Sequence, residues 1–343
     1  MGKRFLVVVR AGDESLHPTW LQTRDTRNWD LIVNYYGDDT TRFPAAGEGF
    51  VRIDSKGPKW PALARLMTET QDAWSAYDYV WFPDDDLATT GDDINRMFEV
   101  AVGLELHLAQ PSLSWDSHIG VPLTLHNRSF SVRFSSFVEP MAPLFSAALL
   151  RRALPTFGET ISGWGLDYVW PQLLDNPARQ CAILDCIQVR HTRPAGGPNY
   201  AFNNAAGIEP RKEMHELLQR HGIPGPTQMC FGGIDAAGRF YNLFDKDDET
   251  FVSRLCSGYL ELKKGSAPMI GSLFIEHALA RQQFLAAQSG PAASRTNTPA
   301  HGARPLAAPT LPNAPAVAAP VLAQRPAAPA RSASTWAAAV ALR

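Results

Sequence analysis

A chain of 343 residues with 45% hydrophobic content can build a sizeable core, as one large domain or two ordinary ones. Its formal charge of −2 conceals an asymmetry: five arginines and no acids lie from Gln288 onward, leaving 27 basic against 34 acidic residues before it. A net acidic body argues against general nucleic-acid binding, which needs a basic surface to displace counterions, and no run approaches the roughly 18 apolar residues of a membrane helix.

Taken in order, residues 5–9 are a short β-branched run ended by Arg10 to Asp13, read as a first, central strand. Lys3-Arg4 stand before this run, but Arg10 and Asp13 interrupt it, which leaves it too short for a signal-peptide core. Residues 29–36 and 49–54 give two more strands. From residue 60 to 74, Leu63, Leu66, Met67 and Trp74 recur at helical spacing, with Pro58 and Pro61 suited to the entry. A buried strand follows at residues 77–82, where Pro83 is expected to end the ladder. Thr90 or Gly91 caps a helix with Asp92 and Asp93 in its first turn and Ile94, Met97, Phe98 and Val102 inward. A short strand at 107–110 stops at Pro111, and residues 112–127 read as a polar loop.

Residues 130–134 and 137–145 are strand-like, the second run containing Glu139. Short helices follow at 147–154 and after Gly163-Trp164-Gly165, then a strand at 182–189 running into Arg190-His191-Thr192-Arg193-Pro194. Beyond a Gly/Asn/Pro-rich loop at 195–204 come a helix at 209–221, a hairpin at 229–244 and helices at 249–263 and 273–287. The Ala/Pro-rich tail from residue 290 has too few large apolar residues to offset its ordering entropy and reads as disordered. Strands alternating with helices are the signature of an α/β chain with a mostly parallel sheet. Cys181, Cys186, Cys230 and Cys256 form no CxxC pair and read as buried free thiols rather than zinc ligands, which makes the cytoplasm the expected location.

Four features carry chemistry. The strand at 77–82 runs into Asp84-Asp85-Asp86, and three adjacent acids repel one another unless a cation or solvent compensates them. Hard divalent ions such as Mg²⁺ and Mn²⁺ favour carboxylate oxygens; the alternative is a solvated acidic turn. His191 stands between Arg190 and Arg193, a setting that suits a metal or phosphate as well as a structural role. In Gly163-Trp164-Gly165-Leu166-Asp167 the glycines allow close backbone approach, Trp164 can stack on a sugar, and Asp167 can accept a hydroxyl proton or simply meet a helix dipole. Lys56-Gly57-Pro58-Lys59 can clamp phosphates or be solvated.

The ordered series of strand plus D-x-D, apolar segment with Glu139, G-W-G-x-D, and strand ending in His resembles the GT-A-type nucleotide-sugar glycosyltransferases. More narrowly, Ser55-Lys56 with Lys59-Trp60, Tyr77 to Leu87, Gln110-Pro111, Phe137 to Ser146 and Trp164 to Asp167 look like a plant and bacterial domain-of-unknown-function family that is itself glycosyltransferase-like. The resemblance covers about residues 1–200. It implies a GT-A-like, Rossmann-like α/β domain with a mostly parallel central sheet flanked by helices over 1–265, then a C-terminal helix at 266–289 and the tail at 290–343. It further implies Mn²⁺ or Mg²⁺ held by Asp84, Asp86 and His191. A nucleotide-sugar donor would meet Asp13, Asp54, Lys56, Lys59, Asp85 and Arg193. A glycan or small-molecule acceptor would lie by Trp164 and Glu139, with Asp167 as base. Two alternatives remain: a metal-dependent phosphohydrolase, for which Ala88 departs from the D-x-D-x-T/V pattern, and a non-catalytic carbohydrate- or partner-binding protein on the same scaffold.

Overall fold

The computed structural model describes residues 4–23, 26–194, 206–245, 250–259 and 267–289. The expected loop at 195–204 and the Ala/Pro-rich tail therefore lie almost wholly or wholly outside the described residues. In chain order the strands are β1 (Phe5–Ala11), β2 (Trp29–Tyr35), β3 (Ala46–Gly47), β4 (Phe50–Asp54), β5 (Tyr79–Trp81), β6 (Leu87–Ala88) and β7 (Leu108–Leu113). They continue with β8 (Val132–Ser135), β9 (Leu144–Ser146), β10 (Cys181–His191), β11 (Cys230–Ile234) and β12 (Phe240–Asn242). All belong to one twelve-stranded sheet in the order β12, β11, β8, β10, β7, β9, β5, β1, β2, β4, β3, with β6 pairing β10 off that path.

The sheet is Rossmann-like where it matters for the site. Neighbours β4, β2, β1 and β5 are parallel, and β7 and β10 are parallel to each other. Only β9, antiparallel to both β5 and β7, interrupts the run, so all six point one way. After β1 the chain moves outward through β2 and β4, then returns to the other side of β1 as β5. The carboxyl ends of β1 and β5 thus border a topological switch point, the place where an open α/β sheet forms a ligand crevice.

Strand alternation feeds both faces. Phe5, Val7, Val9 and Ala11 of β1 pack on one layer, with Ile94, Met97, Phe98 and Ala101 of the helix Gly91–Gly103. Leu6 and Val8 pack on the other, with Trp60, Leu63, Leu66 and Met67 of the helix Lys59–Glu69. Thr90 caps the first of these helices, its hydroxyl accepting from the Asp93 amide at 3.1 Å. The expected helix at 60–74 is in fact two, Lys59–Glu69 and Gln71–Trp74.

Two strand readings need correction, both involving proline. Strand β7 does not stop at Pro111 but continues to Leu113. Pro111 sits where the β7/β10 register shifts between Leu184 and Gln188, so the missing N–H falls at a break in the ladder. Likewise Pro83 does not end pairing: Phe82 and Asp84 still donate to the Pro143 and Met141 carbonyls at 2.9 and 2.7 Å. The amides on either side of Pro83 face that partner, so its missing donor does not interrupt it. The expected strand at 137–145 is regular only from Leu144 to Ser146. The hairpin at 229–244 is present as β11 and β12.

Candidate active site at the ends of β1 and β5

Pairing of residues 82–84 with 141–143 delivers the three aspartates to the switch point, beside the end of β1, where the backbones of Arg10 and Asp84 form an isolated parallel β-bridge. Each acid then has a different partner. Asp84 Oδ1 accepts from Lys59 Nζ at 2.5 Å; the same ammonium donates to the Pro140 carbonyl at 2.8 Å and reaches that of Phe82 at 3.3 Å. The pairing is asymmetric, since the Lys59 side chain is 9% exposed and that of Asp84 35%. Burial raises the Asp84 pKa, Lys59 opposes that rise and Asp86 adds to it.

Asp85 turns the other way. It accepts from the Gly12 amide at 2.7 Å and from Arg193 at 3.2 Å, and Arg193 also donates to the Glu14 carbonyl at 2.5 Å. Burial still pushes its pKa up to about 6. Asp86 Oδ2 lies 3.3 Å from His191 Nε2, whereas Asp86 Oδ1 is buried with no partner. The Asp86 carbonyl accepts from the Thr192 amide at 3.1 Å and hydroxyl at 2.8 Å, which registers β10 against the acids. His191 is fixed from behind, Nδ1 lying 2.8 Å from the His118 carbonyl and its amide donating to Ser117 Oγ at 3.1 Å. Burial works to lower the His191 pKa, but Asp86 outweighs it and lifts the value to about 9.

Glu139 lies within electrostatic reach of this group, and Asp167 within reach of Glu139. Gln110 Oε1 accepts from the Glu139 amide at 2.6 Å, so the end of β7 places it. Its Oε2 is buried without a partner, and burial pushes its pKa up to about 7, with His191 opposing and Asp84 reinforcing. Asp167 stands in the first turn of the helix Leu166–Gln172. Burial, then the charge of Glu139, push it up to about 8. The turn before it needs both glycines. Gly163 and Gly165 have φ of +84° and +97°, and a Cβ on Gly163 would stand 2.4 Å from the Trp60 ring. Trp164 between them is half-buried.

The structure therefore gathers Asp84, Asp85, Asp86, Lys59, His191 and Arg193; Glu139 is electrostatically coupled to His191 and Asp84, and Asp167 to Glu139. It leaves three sequence-derived residues engaged elsewhere on the rim. Asp13 accepts from the Tyr35 hydroxyl and from the amides of Asp38 and Asp39, and that hydrogen bonding, the hydroxyl foremost, holds its pKa low. Asp54 pairs with Arg52 at 2.7 Å. Lys56, exposed, donates to the carbonyls of Tyr36 and Gly37 and to Asp38.

Sequence reasoning missed Gly12, Gln110 as a positioning group, and Tyr36, whose pKa burial and then Asp85 push up to about 12. Gly12 and Tyr36 follow directly on the carboxyl ends of β1 and β2, which was the signal that could have found them, whereas Gln110 lies inside β7. The four cysteines are free thiols.

A cation fits the donor chemistry: carboxylate oxygens on Asp84 and Asp86, one of them buried and unpartnered, suit a hard divalent ion. Among the described residues, however, no three His, Cys, Asp or Glu side chains are already closed up around one point. An incoming ion would displace the His191 proton and compete with the Lys59 ammonium.

No protein-family model matches the chain, and no curated protein does. Similar solved structures include S. aureus TarS, at 11% identity and TM-score 0.39 over 64% of this chain and 43% of that one. This chain thus spans less than half of that TarS chain. A 1–349 piece of TarS in complex with UDP-GlcNAc matches at 12% identity and TM-score 0.40 over 83% of this chain and 92% of that one. A mycobacterial protein matches at 18% identity and TM-score 0.38 over 67% and 84%. Among the described residues no helix is long and apolar enough to cross a membrane.

Proposed function

We propose that the chain is a metal-dependent glycosyltransferase that moves a sugar from a nucleotide-diphosphate donor to a hydroxyl acceptor. What carries this reading is the junction of two unlike carboxylate groups at the switch point. The cation-paired acids Asp84 to Asp86 follow β5; Glu139, with no ion pair of its own among the described residues, is coupled to Asp84 and His191, and Asp167 to Glu139. The first group suits a charged donor, the second a neutral hydroxyl that must lose a proton.

Asp84 and Asp86 would hold Mn²⁺ or Mg²⁺, and His191 would join them once deprotonated. When bound, the ion would neutralise charge on the donor diphosphate and on the departing nucleoside diphosphate. Arg193, held by Asp85 and the Glu14 carbonyl, brings a guanidinium to the same edge. In an inverting reaction Asp167 would accept the proton of the acceptor hydroxyl as its oxygen bonds the anomeric carbon and the bond to the phosphate oxygen breaks. A carboxyl pushed up to about 8 is matched to that task near neutral pH. In a retaining reaction Asp167 would instead position the acceptor, and Trp164 would line that side in either case.

Calorimetric titration of UDP-GlcNAc with and without Mn²⁺ tests the donor assignment. Asp86→Ala is expected to abolish the metal-dependent part of binding while far-UV circular dichroism stays unchanged; undiminished binding would sink the metal assignment. Phosphate release from simple phosphomonoesters without any sugar nucleotide would move the reading to a phosphohydrolase. A melting-temperature screen of nucleotide sugars with Mn²⁺ would name the donor, since a ligand that binds only the folded chain raises its stability.

A further inference from the structure

The helix Pro210–Arg220 lies beyond the part of the chain that carries the family resemblance, yet it grips the loop before Asp167 at two points. In its first turn Glu213 accepts from the Ile161 amide at 2.9 Å, the Ser162 amide at 2.9 Å and the Thr160 hydroxyl at 3.1 Å. The Thr160 oxygen accepts in turn from the Gly163 amide at 3.2 Å, which passes the hold to the first glycine of the Gly-Trp-Gly turn. At the far end of the helix, Glu159 Oε2 is 2.9 Å from Arg220 and 3.0 Å from His221 Nε2. Between these points the helix backbone lies against Gly165: a Cβ there would stand 3.0 Å from Leu217 and 3.3 Å from the Met214 Cα.

Charge-assisted bonds from two backbone amides and a hydroxyl are the strong kind, and they satisfy loop donors that no strand or helix pairs. Burial works against the Glu213 charge, but these hydrogen bonds outweigh it and hold the carboxyl below its ordinary range. No other side chain in the described residues spans the loop amides in this way. Glu213 touches none of Asp84, Asp85, Asp86 or His191, so its influence is confined to the Trp164 and Asp167 side.

Resting on the reading of Asp167 as the acceptor-side acid, we propose that Glu213 is a positioning residue. Its carboxylate fixes residues 160–163 and thereby sets where Trp164 and Asp167 stand, leaving the donor side untouched.

Hydrogen exchange on the full chain tests the clamp without assuming any activity. In Glu213→Ala, peptides covering 160–167 are expected to exchange at least tenfold faster, with peptides covering 77–86 at the wild-type rate. Glu213→Gln, which keeps one acceptor oxygen but turns an amide group toward the other donor, is expected to fall between. Unchanged exchange at 160–167, or equal acceleration over 77–86, would overturn the proposal.

Turnover of UDP-GlcNAc with Mn²⁺ and titration of UDP then separate positioning from plain stability. The expected result is a kcat lowered at least tenfold in Glu213→Ala, partly restored in Glu213→Gln, with UDP affinity within twofold of wild type. A parallel loss of UDP affinity would overturn it. Absence of binding of any nucleoside diphosphate in the wild-type chain would instead refute the transferase reading, with the exchange result still deciding the clamp.

Discussion

Two sets of acids meet at the switch point and are kept there by opposite means. Asp84, Asp85 and Asp86 are each met by a cation of the chain: Lys59, Arg193 and His191. Glu139 and Asp167 have no such partner, and burial pushes them up to about 7 and about 8. The difference is one of degree: with Arg193 and the Gly12 amide beside it Asp85 rises only to about 6, while Glu139 and Asp167, without an ion pair among the described residues, rise further. In the proposed reaction the first group would face the charged diphosphate and the second the hydroxyl.

The comparison breaks most visibly at Asp167. Asp167→Asn keeps the shape and removes the proposed proton acceptor, so in the proposed reaction kcat for turnover of the nucleotide-sugar donor is expected to fall about 10²- to 10⁴-fold, with nucleotide affinity by calorimetry unchanged. Loss of affinity without loss of kcat would place Asp167 on the donor side instead.

Next in size is the cation on the other side. Lys59→Met leaves Asp84 without its ammonium. Because Asp84 keeps 35% of its side-chain exposure, the expected loss of about 2 kcal/mol in urea unfolding is smaller than for breaking a fully buried pair. Unaltered stability would mean that the pair contributes no net charge compensation.

The pH dependence of stability offers a further test. Asp167 holds its proton to about 8 when folded, against 3.8 for the ordinary carboxyl. The folded chain therefore binds more protons than the unfolded one between those values, and this group's contribution to stability falls as pH rises through that window. Asp167→Asn cannot ionise, so its urea midpoint relative to wild type is expected to rise between pH 5 and pH 8.5. A difference that does not change with pH would show that the carboxyl is not held protonated.

Much of this was legible along the chain. The β-branched run of β1, the helical spacing of Leu63, Leu66 and Met67, and the strand running into three aspartates are local patterns, and each formed where expected. Prolines misled in both places where they were read as stops. Whether Pro83 or Pro111 costs a hydrogen bond depends on which neighbour that residue would face, and that is settled by pairing. The donor-side list was similarly uneven. Lys59 and Arg193 reach the acids, but Asp13 and Lys56 are engaged by the segment that follows β2, and Asp54 by Arg52 on its own strand.

By itself the sequence determined the α/β alternation, the place of the acidic strand end and the Gly-Trp-Gly turn, because hydrophobic period, glycine and adjacent like charges act over a few residues. Only the tertiary structure decided which cation meets which aspartate, that Glu139 and Asp167 come within electrostatic reach of each other, and that Glu213 reaches back to the loop at 160–163. Those outcomes depend on desolvation and on contacts between segments as far apart in the chain as Gly12, Asp85 and Arg193, whose proximity no local pattern encodes.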